Sequence, residues 1–204
     1  YSINADGTIF LVSNQSYDNQ TGAVKMFKKT NDVWEQMGND IIGTRYLGLF
    51  GSTPSLSNDG YTFAVGSRDY DGFNYPTYFI NIYEYESTEW VLREELIQSG
   101  SQAGAGIGAI DTFDLKNDGQ GIVSLTNIER LNGDLAGFFS LYINDSGAWT
   151  SAPYFYDNFT QSNTSRSSNH CSSSYFERSG RVVYFLNEGI NSSNTYRLVV
   201  RKID

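Results

Sequence analysis

Apolar residues in this chain fall in short runs and alternations separated by turns rich in Asn, Asp, Ser, Thr and Gly. Stretches rich in Ala, Leu, Glu and Lys with a helical period are nearly absent, so the pattern predicts strands. The turns are themselves periodic. A polar turn ending in Gly occurs at Asn4-Ala5-Asp6-Gly7, Asn58-Asp59-Gly60, Asn117-Asp118-Gly119 and, in degenerate form, Arg178-Ser179-Gly180. The glycines are 53, 59 and 61 positions apart. An apolar strand is predicted after each turn, at Thr8–Ser13, Tyr61–Ser67, Gly121–Thr126 and Arg181–Leu186. A second follows at Ala23–Lys28, Phe79–Tyr85, Phe138–Ile143 and Tyr196–Arg201, and Trp34, Trp90 and Trp149 each open a third. One more short strand precedes the turn, as at Ser55–Ser57, Thr112–Leu115 and Ser174–Phe176.

Asp-Gly turns favour hairpins because Gly accepts positive φ and Asp can bond its own turn backbone. Four short antiparallel strands repeated in tandem predict an all-β fold, a β-propeller whose blades bury their faces against one another. The blades are expected at about 1–47, 48–104 and 105–170, with an incomplete one at 171–204. An open ring leaves strand edges and an apolar blade face uncovered, so a longer polypeptide or closure through an assembly is expected.

The second repeat is the most regular. Its Phe50-Gly51-Ser52-Thr53-Pro54-Ser55-Leu56-Ser57-Asn58-Asp59-Gly60-Tyr61-Thr62-Phe63-Ala64-Val65-Gly66-Ser67, followed by Ile80-Asn81-Ile82-Tyr83 and Trp90, resembles the FG-GAP repeat of integrin-α-type β-propellers. The first repeat shares Gly22-Ala23-Val24-Lys25-Met26-Phe27 and the run from Trp34 to Ile41; the third lacks Phe-Gly, and the fourth keeps only the hairpin core. The resemblance implies a non-enzymatic, secreted or cell-surface module for protein interaction or structural assembly. It also implies that a loop such as Asp69-Tyr70-Asp71-Gly72 can bind calcium, through Asp69 and Asp71, although no third carboxylate follows at a suitable spacing. No other cofactor is expected. Ser57–Phe63 is close to the Asp-box of sialidases, but that box has one more residue between Asp and Gly.

Charge narrows the partners. With 14 Lys+Arg against 23 Asp+Glu the formal net charge is −9, and no basic stripe is present to meet a phosphate backbone, which excludes nucleic acid. No run of apolar residues is long enough to predict a transmembrane segment. Sequons begin at Asn14, Asn19, Asn144, Asn158, Asn163 and Asn191, which fits a glycoprotein. The single His170 and single Cys171 are too few for a closed zinc site, and any catalytic triad would have to pass through that one histidine. Glu94-Glu95, or Asp111 with Asp114, are the acids from which a glycosidase pair could be drawn. An aromatic content of 15% is high, and Phe73, Tyr75, Tyr78, Tyr154 and Tyr156 lie in or beside loops, where they could stack on a glycan or anchor a protein. Carbohydrate binding, or glycoside hydrolysis, is therefore the alternative function.

Overall fold

The computed structural model describes residues 1–70, 77–98, 107–115, 118–129, 135–151, 171–176, 182–190 and 193–201. It is an all-β structure whose described residues form four antiparallel sheets. They fall into two compact units, Tyr1–Ser99 with Asn117–Gly119, and Gly100–Lys116 with Gln120–Asp204.

In the first unit, β1 (Ser2–Ile3), β2 (Ile9–Asn14), β3 (Ala23–Thr30) and β4 (Val33–Gln36) form a meander, and β5 (Ile41–Ile42) returns to pair with β3. The second sheet is β6 (Ser52–Leu56), β7 (Thr62–Asp69), β8 (Thr77–Glu86) and β9 (Glu89–Gln98), again in sequence order. The second unit holds β10 (Ile107–Leu115), β11 (Gly121–Glu129), β12 (Leu135–Asp145) and β13 (Ala148–Ser151) as a third meander. Its other sheet is β14 (Cys171–Phe176), β15 (Val182–Ile190) and β16 (Ser193–Arg201), with β14 lying against β10 and β11.

The expected order of strand, Asp-Gly turn, strand, loop, strand, turn and Trp-bearing strand is the order observed in the first three sheets. Three details differ. Each Trp is the second residue of its strand, after Val33, Glu89 or Ala148. The strand β5 was not anticipated, being two residues long and without alternation to reveal it. The first β2–β3 loop contains a single helical turn, α1 (Tyr17–Gln20), in which Asp18 and Asn19 have positive φ.

The turns work as their composition requires. In the second sheet Asp59 Oδ1 accepts from Ser57 Oγ at 2.6 Å and from the Tyr61 amide at 3.0 Å, while the buried Ser57 Oγ accepts from the Thr62 amide. In the first, Asp6 Oδ1 accepts from the Thr8 amide, and the buried Asn4 Oδ1 accepts from the amides of Thr8 and Ile9. The Thr8 bonds hold the Asp6 carboxyl below the usual range, because they favour its charged form. Gly7, Gly60 and Gly119 all have φ between +73° and +79°.

The core of the first unit lies between its two sheets. Ile9, Leu11, Val24 and Met26 form the face of the first sheet, which meets Leu56, Phe63, Val65 and Trp90 of the second, with Met37 and Phe50 of the connecting segment between them. The Asp-Gly turn contributes directly to this contact. A Cβ on Gly60 would stand 2.7 Å from Ile9 Cδ1 and 2.9 Å from Ile9 Cβ. Gly119, which belongs to the same unit, stands in the same relation to Thr62, at 2.9 Å from its Cβ. Ile9 and Thr62 are each two residues beyond their own anchor glycine, so the contact repeats with the sequence.

An aromatic triad repeats as well. In the second sheet Phe63 stacks on Tyr83 (5.0 Å between ring centres, 8° between planes) and meets Trp90 edge-on at 4.9 Å. In the first sheet Phe10 stacks on Phe27 (5.0 Å, 16°) and meets Trp34 edge-on at 4.6 Å. The registers agree throughout: Phe63 faces Tyr83 and Tyr85 faces Trp90, as Phe10 faces Phe27 and Lys29 faces Trp34.

Candidate functional site

The segment between the first and second sheets builds a cleft. After β5 the chain stays pinned to the end of the first sheet, through Gly43 N to Gly22 O (2.9 Å), Leu49 N to Gln20 O (2.8 Å) and Phe50 N to Thr21 O (3.0 Å). Gly22 is required here: its φ is +87°, and a Cβ would lie 2.1 Å from the Phe50 carbonyl oxygen. The segment then crosses to the second sheet, where Arg68 donates its amide to Gly48 O (2.8 Å) and its Nε to Leu47 O (2.9 Å). Because the strands run as meanders, the β2–β3 loop, this connector and the C-terminal end of β7 share one end of the sheets. The Asp-Gly turns occupy the other.

The cleft has a volume of about 120 Å³ and is lined by Thr21, Thr44, Arg45, Ser67, Asn81, Tyr83 and Glu95, with Ile42, Phe50 and Leu92 as its apolar wall. Arg45 forms a bidentate pair with Glu95, at 2.8 Å from Nη1 to Oε2 and from Nη2 to Oε1, and its guanidinium stacks 4.1 Å above the Phe79 ring. The Glu95 bonds raise the Arg45 pKa above its ordinary value against the opposing cost of burial, and the charge of Asp69 adds to the effect. Burial, helped by the nearby Glu95 carboxylate and offset by Arg45, pushes Tyr83 up to about 12, so its phenol remains a donor at neutral pH. Asn81 is 3% exposed and donates Nδ2 to Ser67 Oγ (2.8 Å) and Val65 O (3.3 Å). The net result is a surface of neutral donors and acceptors beside an internally neutralised ion pair. Such a surface suits a small polar ligand better than an ion.

Of the sequence candidates, Glu95 and Asp69 meet this geometry. Asp69 is exposed at the end of β7 and close enough for its charge to act on Arg45, whereas Asp71 lies outside the described residues. Among the described residues no three His, Cys, Asp or Glu side chains gather as a metal site requires. Tyr78 is half-buried near the start of β8, paired with Arg68 and Gln98. Phe73, Tyr75, Tyr154 and Tyr156 lie outside the described residues, as do Asn158, Asn163, Asn191 and His170. Asn14 and Asn19 are exposed in and beside the β2–β3 loop. Asn144 is in β12, paired with Trp149, and its Oδ1 accepts from the Gly147 amide at 2.9 Å as part of the hairpin turn.

Glu94 and Glu95 do not form an acid pair. They face Ile82 and Asn81 in the β8–β9 register, and successive residues of a strand point to opposite faces. Arg45, Ser67, Asn81 and Tyr83 were not selected from the sequence as functional residues. Arg45 sits in a segment without periodicity, and its partner is 50 positions away.

No family model matches the chain, and no curated protein matches it. Among solved structures it is similar to one described as "putative TolB" from Agrobacterium tumefaciens, at 12% identity over 98% of this chain and 74% of that one, with a TM-score of 0.34. A likeness of that degree carries no weight for fold or function.

Proposed function

We propose that the chain is a β-propeller-type repeat protein of the FG-GAP kind, acting without catalysis as a secreted or cell-surface module for protein interaction or structural assembly. The propeller reading is supported by the repeated packing of an anchor glycine against the second residue beyond the preceding anchor. The non-catalytic part of the reading is supported by the saturation of Glu95. Both its oxygens are taken by Arg45, so the carboxylate of the cleft is engaged in structure and is not poised to transfer a proton. Asn14 and Asn19 are exposed, so in a secreted or surface location both sequons would be open to glycan attachment.

A carbohydrate-binding role is the second reading. It is favoured by one observation, the convergence of Ser67, Asn81 and Tyr83 on the cleft beside the Arg45–Glu95 pair. A glycan array combined with hydrolysis assays on the purified chain separates the two. The interaction reading predicts neither saturable sugar binding nor turnover. Saturable binding abolished by Asn81→Ala would establish the second reading, and turnover would overturn both non-catalytic roles.

A further inference from the structure

We propose that the cleft between the connector and the second sheet is a recognition pocket for one primary carboxamide, the side chain of a Gln or Asn on an apolar segment of a protein partner. This rests on the reading of the chain as a protein-interaction module. Two polar groups in the cleft lack the partner that burial demands. Asn81 is 3% exposed and Ser67 6%, and both line the cleft. The orientation of the Asn81 amide is fixed, because Val65 O can only accept, so the amide nitrogen is the atom that faces it and Ser67 Oγ. Among the described residues no donor then reaches Asn81 Oδ1, and the Ser67 hydroxyl, which accepts from Asn81, has no acceptor for its own proton. Buried groups of this kind are nearly always paired, so two on one cleft wall point to a ligand that completes them.

The unmet groups specify the ligand. Asn81 Oδ1 needs a donor and the Ser67 hydroxyl an acceptor, and a carboxamide carries both on neighbouring atoms, as the paired Asn81 and Ser67 do. A carboxylate has no proton for Asn81 Oδ1 and would stand beside Glu95, while an ammonium has no lone pair for Ser67 and would stand beside Arg45. Size agrees. The 120 Å³ of the cleft holds about four waters. A carboxamide with its adjoining methylene has about as many non-hydrogen atoms, whereas a hexose has about three times that number. The rim selects a protein. Ile42 and Leu92 line the cleft while 46% and 47% exposed, and Tyr46 and Ile97 are more exposed still. Tyr46 follows Arg45 in the chain, and Ile97 pairs with Phe79, on whose ring Arg45 stacks. Apolar residues flanking the amide would cover this rim, and covering it excludes water from the bonds inside.

The test is nitrogen-edited NMR of the intact chain, following the Asn81 side-chain amide during titration with acetyl-Leu-Gln-Leu-amide and its Asn analogue. The same peptide with Glu or Met at the centre, and free galactose and N-acetylglucosamine, are titrated alongside. The proposal expects one or both amide peptides to shift that resonance saturably at millimolar concentration. The Glu and Met peptides should bind at least about tenfold more weakly than the better of the two, since they leave buried groups unpaired. Ser67→Ala should weaken the amide peptide by about tenfold. No saturable shift with either amide peptide, equal affinity for the Glu or Met peptide, or a Ser67→Ala chain that binds as tightly as wild type overturns the proposal. Each of these leaves the interaction reading standing, because a partner can dock on another surface. Tighter binding of either sugar than of the amide peptides overturns both, in favour of the carbohydrate reading. If Ser67→Ala does not fold, the wild-type order of the peptides alone decides.

Discussion

The first and second sheets each hold three aromatic rings in the same arrangement, and only one set is buried. Phe63 is fully enclosed, whereas its counterpart Phe10 is only half-buried. Ring geometry is thus set within a sheet, by the cross-strand pairs of a meander. Burial is set by the neighbouring sheet, through residues as far away in sequence as Ile9 is from Phe63. The two sheets therefore separate what a repeat specifies by itself from what it gains by having a neighbour.

The largest expected difference between them is in truncation of the stacked phenylalanine. Phe63→Ala removes a ring from a core that includes Leu11, Val65 and Trp90, and should cost about 3 to 5 kcal/mol in chemical denaturation. Phe10→Ala should cost less than half as much, because its ring is already partly in water. Equal losses would show that the two triads are equally covered in solution, and the distinction drawn from their exposure would be lost.

The anchor glycines give a second and smaller contrast. Both have positive φ, so replacing either by Ala imposes a backbone cost of about 1 to 2 kcal/mol. At Gly7 nothing stands nearer than Ile3 Cδ1 at 4.0 Å, and that cost should be the whole effect. At Gly60 the new Cβ also meets Ile9 at its Cβ, which cannot move without the strand, and overpacking adds about 1 to 3 kcal/mol. The difference in denaturation midpoint between G60A and G7A therefore measures how tightly the sheets approach. Identical midpoints would mean that the sheets are not in contact at this turn.

Much of this repeat was legible in the chain because its signals are local. Asp-Gly turns, alternating strands and a Trp at a fixed place in the first three repeats are set by neighbouring residues, and the first three sheets reproduce their order. Edges were less visible. β8 begins at Thr77, two residues before its apolar core, since a strand end held by backbone bonds to Asp69 needs no apolar side chain. The cleft was nearly invisible, because Arg45 and Glu95 look like ordinary surface charges until the connector folds between two sheets. Glu95 could be noted as an acid, but its direction followed from the strand register, which excluded Glu94 as its partner.

Tyr83 offers a test specific to the buried triad, since Phe27 replaces it in the first sheet. Its pKa is about 12 in the folded chain against about 10 for an unfolded tyrosine, so the native state holds the proton longer. The associated stability is fully present below pH 10. It falls as the pH rises from 10 through 12, because the unfolded chain then releases a proton that the native chain retains. Allowing for its partial exposure, the loss should approach about 2 kcal/mol, and Tyr83→Phe should remove that part of the decline in urea midpoints between pH 9 and 12. A variant with the wild-type slope would place Tyr83 in water.

The smallest effect isolates the one polar bond of the buried triad. Trp90→Phe keeps most of the ring packing but removes the indole donor from Met37 O, leaving a carbonyl at the centre of the interface without that partner. A net loss of about 1 to 2 kcal/mol is expected from the bond and its unpaired acceptor. Trp34→Phe removes no bond among the described residues, so it should fall within about 0.5 kcal/mol of wild type, as surface substitutions do. Equal losses for the two variants would place both indoles in the same surroundings.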